Sequence, residues 1–133
     1  MKDHSNPIVR LSFNFSIKIV SYTQILEEGR RYVIARQLLA SGTSIGANIM
    51  ESQSAESKKD FIHKLKISFK ELLETRYWLE ICKYSKGFPD PTDLITEIEV
   101  IRKVLNAIIA TTIKSNQKKT TKKLTPKTYQ PRT

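Results

Sequence analysis

Apolar residues recur along this chain with a helical period. Behind Asn6-Pro7, one line runs Ile8, Leu11, Phe15, Tyr22 and a second runs Val9, Phe13, Ile17, Val20. Both keep the spacing of three and four that gathers side chains on one face of a helix. Asn6 is a good helix cap and Pro7 suits the first helical position. A first helix therefore starts there, with Gly29 as its expected stop. A second helix is expected from about Tyr32 to about Gln53. Ser57-Lys58-Lys59-Asp60 has capping-box spacing, with Asp in place of Glu or Gln, and opens a third helix that ends near Lys86-Gly87. Gly87-Phe88-Pro89-Asp90-Pro91 then supplies a stop, a turn, a cap and a proline for the first helical position. The fourth helix carries Leu94, Ile98, Ile101, Leu105 and Ile108 and is expected to fray near Ser115. No segment alternates with period two for long enough to make a strand. The predicted fold class is all-α: an antiparallel up-and-down four-helix bundle over residues 1–115, followed by a basic, disordered tail over 116–133.

The second helix has an unusual surface. "QLLASGTSIGANIM", residues 37–50, contains no charged residue. At about 100° per residue, Ile34, Leu38, Ile45 and Ile49 share one side, flanked by Ala35, Gly42 and Gly46. Each glycine costs about 1 kcal/mol of helix propensity relative to alanine, so Gly42 and Gly46 are expected to repay that cost by close helix packing. A polar line, Gln37, Ser41, Ser44, Asn48 and Glu51, lies about 110° away, and Ala40, Thr43, Ala47 and Met50 fill a third sector. A helix without a charged face is usually buried all round. Two neighbours in one bundle cover only part of it, so a further subunit is expected to cover the rest.

The third helix points the same way. Phe61, Leu65, Leu72 and Leu79, supported by Ile62 and Phe69, make a core seam. A second heptad-like seam, Ile67, Glu71, Glu74, Trp78 and Ile81, lies about 120° away. Two seams imply two sets of partners. Ser41, Ser44, Asn48, Ile67, Glu71, Glu74 and Trp78 are therefore the expected oligomer interface, with the Ser44/Asn48 line as a source of hydrogen-bond partners for the two glutamates.

Charge adds a partner class. The chain of 133 residues has a formal net charge of +10. Seven cations, Lys114, Lys118, Lys119, Lys122, Lys123, Lys127 and Arg132, lie from Lys114 onward without an acid, which leaves +3 for the rest. Lys59, His63, Lys66 and Lys70 form a basic stripe on the third helix. A helical stripe of this kind is most often a solvated face; joined to a basic tail it points to phosphate contact.

Catalytic and metal chemistry find little support. Asp60-x-x-His63 is the one remote match to the Glu-x-x-His of di-metal bundles, and it has Asp. "SGTSIG" lacks the Gly-Lys-Ser/Thr of a phosphate loop and follows no strand. A serine nucleophile would lack its usual base. No cofactor and no metal site are expected. The single cysteine, Cys82, sits in a helical pattern and is expected to be buried. No run of 18 apolar residues and no signal peptide occur, so no membrane association and a cytoplasmic location are expected.

Several blocks together resemble a known family. "NPIV" and "SFNFSIKIV" from Asn6, "QLLASGTSIGANIMES" from Gln37, "SKKDFIHKL" from Ser57 and "KELLETRYWLEI" from Lys70 resemble the bacterial four-helix bundle proteins also called large-subunit ribosomal RNA intervening-sequence proteins. The resemblance covers roughly residues 6 to 110, and the combination is specific although each block alone is weak. It implies a bundle that assembles as a ring, commonly a homopentamer. It also implies kinship with the basic accessory proteins of diversity-generating retroelements, which bind nucleic acid and a reverse transcriptase. Family members are often encoded inside ribosomal RNA genes, and no catalytic residues are established for them. Ser41, Ser44, Ile45, Asn48 and Glu51 match the second-helix motif; Lys70, Glu71, Glu74, Thr75, Tyr77 and Trp78 match the third.

The functional expectation is a non-enzymatic, oligomeric nucleic-acid-binding protein, RNA preferred. A protein-interaction module, such as an accessory ring for a reverse transcriptase, is the alternative. A structural oligomer with a solubilising tail is the third possibility.

Overall fold

A computed structural model describes residues 6–124, and their side chains as far as residue 118. Four helices follow one another: α1 (Pro7–Glu28), α2 (Tyr32–Ser52), α3 (Lys58–Tyr84) and α4 (Thr92–Leu124). The described residues contain no strand. α1 packs against α2 and α4, and α3 packs against the same two helices. With three short connections, this is an antiparallel four-helix bundle.

Local chemistry sets the boundaries. The Asn6 side chain accepts a hydrogen bond from the Ile8 amide and so caps α1. Ser57 accepts from the Asp60 amide at 3.0 Å and caps α3. Asp90 accepts from the Thr92 amide at 3.0 Å, and the Pro91 carbonyl takes the first helical bond of α4, from Ile95. Gly87 adopts a positive φ of 83° in the turn after α3, a conformation that costs glycine little. α1 stops at Gly29 as expected, but the left-handed residue of its end is the next one. Gly29 stays at φ −82°, and Arg30 takes the left-handed position at φ 62°. The Arg31 amide then reaches back to the Leu26 carbonyl at 2.9 Å, closing a Schellman-type turn. α4 does not fray at Ser115 but continues to Leu124. The reason lies in the chain: no Gly or Pro interrupts residues 92–125, and Pro126 is the first breaker.

The core draws one stripe from each helix: Phe15, Ile19 and Leu26; Leu38, Ile45 and Ile49; Leu65, Leu72 and Leu79; Ile98, Ile101 and Leu105. The first apolar line of α1 faces it. In the second line Val9 is buried, while Phe13, Ile17 and Val20 are exposed. At the α1–α2 crossing the glycines leave room for side chain and backbone. A Cβ on Gly42 would stand 2.9 Å from Ile19 Cγ2, and one on Gly46 would stand 3.2 Å from the Ser12 carbonyl oxygen. The hydroxyls of α2 are satisfied by their own helix: Thr43 donates to Leu39 O at 2.7 Å and Ser44 to Ala40 O at 2.6 Å.

Candidate nucleic-acid interface and flanking surfaces

The basic stripe is built by the register of α3. Leu65, Ser68, Leu72, Thr75, Leu79 and Cys82 are its buried residues. Lys59, His63, Lys66 and Lys70 lie on the opposite side of the helix, and all four are exposed. No ion pair among the described residues engages Lys59, Lys66 or Lys70. Neighbouring cations are tied down: Lys64 reaches Glu51 of α2 at 3.1 Å, and Arg76 reaches Glu99 of α4 at 2.6 Å.

The fold also brings the start of α3 to α4 at Ser115. Lys58 Nζ donates to Ser115 Oγ at 2.5 Å. The exposed Lys114 and Lys118 therefore sit at the same end of the bundle as Lys59. Lys127 and Arg132 lie outside the described residues, as do the side chains of Lys119, Lys122 and Lys123.

The expected oligomer residues divide. Ile67, Glu71 and Trp78 are half-buried along the α2 side of α3, Glu74 is exposed, and Ser44 and Asn48 are half-buried on α2. Trp78 packs partly on its own core and donates Nε1–H to Glu74 Oε2 at 3.2 Å. Burial, and then the charge of Glu74, push the Glu71 carboxyl above its ordinary value. Asn48 does not supply Glu71 or Glu74 within the chain; it donates to Ser44 O at 2.9 Å. Ser41 differs from the others: it is 1% exposed and donates to Leu38 O at 3.5 Å, so it is already buried within its own chain.

Two features of the surface were not anticipated from the apolar pattern. Phe13 with Val9, Thr43, Gly46, Ala47 and Met50 lines a groove of about 250 Å³ between α1 and α2, which is mostly apolar. The outward face of α3 continues past Lys70 as Leu73, Tyr77 and Tyr84, which are 47%, 59% and 78% exposed. The spacing Lys66, Lys70, Leu73, Tyr77, Tyr84 carries that signal, but it changes from basic to aromatic midway and so reads as two unrelated features.

Cys82 is buried, and burial raises its thiol further from the reactive thiolate. The described residues hold no cluster of three or more His, Cys, Asp or Glu side chains arranged for a metal. No helix among them is long and apolar enough to cross a membrane.

A basic four-helix bundle with an outward cationic stripe is the class these features define. Within that class, the chain belongs to the family of 23S rRNA-intervening sequence proteins, whose model matches residues 4–107. It is also similar to a crystal structure of a protein of unknown function from the S23 ribosomal protein family of Bacteroides thetaiotaomicron VPI-5482. The two are 37% identical, with a TM-score of 0.73, over 77% of this chain and 97% of that one. No curated protein matches the chain.

Proposed function

We propose that this protein is a non-enzymatic, oligomeric nucleic-acid-binding protein that prefers RNA and binds through its basic stripe and C-terminal cations. One observation carries the reading: Lys58 of α3 meets Ser115 of α4, so the start of the α3 stripe at Lys59 lies at the same end of the bundle as Lys114 and Lys118 of α4. Cationic groups gathered there and not engaged in ion pairs suit the closely spaced phosphates of a polyanion. A family named for intervening sequences of 23S rRNA is in keeping with RNA. Assembly as a ring, a homopentamer, is part of the proposal. It is supported by the half-buried seam of Ile67, Glu71 and Trp78 and by the uncharged stretch 37–50 of α2. Several basic tails on one assembly would act together, and avidity of this kind can exceed a single module by roughly 10²–10⁴.

The apolar groove between α1 and α2 favours a second reading, a docking ring for a protein partner such as a reverse transcriptase. Titration of full-length protein with single-stranded RNA across salt tests the first reading. A steep log–log dependence is expected, and no measurable binding would favour the second.

A further inference from the structure

We propose that the outward face of α3 is a track for single-stranded nucleic acid, with phosphates over Lys59, Lys66 and Lys70 and bases stacked on Tyr77 and Tyr84. This inference rests on the nucleic-acid reading above and specifies the form of the ligand and the place where it lies. The five residues share one face of one helix, directly opposite the buried Leu72 and Leu79. From Lys59 to Tyr84 the track is about 38 Å long at 1.5 Å per residue. Its two halves differ in chemistry, and single strands need both kinds: cations for the backbone and ring faces for the bases.

The aromatic half is built for rings rather than for phosphates. Tyr77 is held edge-on to Trp78 with centroids 5.3 Å apart, and it remains 59% exposed. Tyr84 is 78% exposed, with the Lys83 ammonium 5.4 Å from its ring centroid. Glu74 and Glu80 flank this half. They disfavour a phosphate there, whereas a neutral base carries no charge to repel. A duplex keeps its base faces stacked inside and would leave both tyrosines unused.

Fluorescence titration of full-length protein with a short oligoadenylate, and with the matching A·U duplex, tests the proposal at about 0.1 M salt. Oligoadenylate is expected to bind more tightly than duplex and to change the Trp78 emission, since Tyr77 lies against that indole. Tyr77→Ala and Tyr84→Ala are expected to weaken the single strand roughly tenfold each without changing the salt slope. Tyr77→Phe should restore binding. Lys59→Gln with Lys66→Gln and Lys70→Gln should instead flatten the slope. Unchanged affinity in the tyrosine variants, with the lysine variant weakened, overturns the track and leaves the nucleic-acid reading standing. Equal losses for single strand and duplex, or an altered sedimentation mass in the tyrosine variants, also overturn the track. Absence of binding by the wild type overturns both readings.

Discussion

Ser68 Oγ donates a 2.8 Å hydrogen bond to the carbonyl of Ile45, joining α3 to α2 at a point where Ser68 is wholly buried. A residue this small lets the two helices approach, and the hydroxyl satisfies itself on the neighbour's backbone instead of its own helix. Ser68→Ala should cost about 0.5–1.5 kcal/mol, the worth of one such bond. Ser68→Leu should cost more, about 1–3 kcal/mol or beyond, by forcing the helices apart. Thermal melts that rank the two variants in the reverse order would contradict this account of the crossing.

The glycines of α2 act on the opposite side, against α1. A methyl on Gly46 would press a backbone carbonyl at 3.2 Å, and one on Gly42 would press the buried Ile19 at 2.9 Å. Alanine improves helix propensity by about 1 kcal/mol, yet Gly46→Ala is expected to lower the melting temperature, since Ser12 cannot yield without moving α1. Gly46→Leu should cost about 1–3 kcal/mol. A raised melting temperature for Gly46→Ala would mean that the crossing is looser than these distances require.

Glu71 gives a pH-dependent signature. Its carboxyl is raised by burial and by Glu74, so the folded chain holds a proton where the unfolded chain has lost it. Stability then falls as pH rises from the ordinary carboxylate value through the raised one, and the cost is fully present at pH 7. Glu71→Gln should therefore melt above the wild type at about pH 7 and lose that advantage near pH 3. Asp90 and Glu99 have lowered carboxyls, so both proteins weaken in acid. The informative quantity is the difference between them, and an advantage that persists in acid would assign the effect to packing.

Association is expected to depend on Trp78. Trp78→Glu would place a third carboxylate beside Glu71 and Glu74 on the proposed seam. Analytical ultracentrifugation should show a closed oligomer for the wild type and a shift toward monomer for the variant. A monomeric wild type at micromolar concentration would remove the ring from the proposal.

Salt dependence separates the tail from the stripe. Each neutralised phosphate contributes about −0.7 to the log–log slope on single strands. Removal of residues 116–133 takes away Lys118, Lys119, Lys122, Lys123, Lys127 and Arg132 and should flatten the slope sharply. Equal affinity of the full-length and shortened proteins at about 0.1 M salt would assign the binding to α3 alone.

Periodicity, caps and breakers in the sequence determined the four helices, because these are local effects. Asn6-Pro7, Ser57 and Asp90 act within a few residues of themselves, and each is found capping the helix it was expected to cap. Gly29 likewise stops α1, with the left-handed conformation one residue later on Arg30; the end that differs is that of α4, which runs on to Leu124 because no breaker precedes Pro126. The sequence also marked the basic stripe, whose four members share one spacing.

Tertiary packing alone decided which apolar and polar lines face inward. Phe13, Ile17 and Val20 have the same helical spacing as the core line of α1, and only the placement of α2 and α4 leaves them outside. Ser41 shares a line with Ser44 and Asn48, yet it alone of the three is fully buried. Proximity at the bundle end was equally hidden: Lys58 and Ser115 are 57 residues apart and meet because α3 and α4 run antiparallel. Helical spacing reports the angle of a side chain about its own axis, and the azimuth of the neighbouring helices determines what that angle faces.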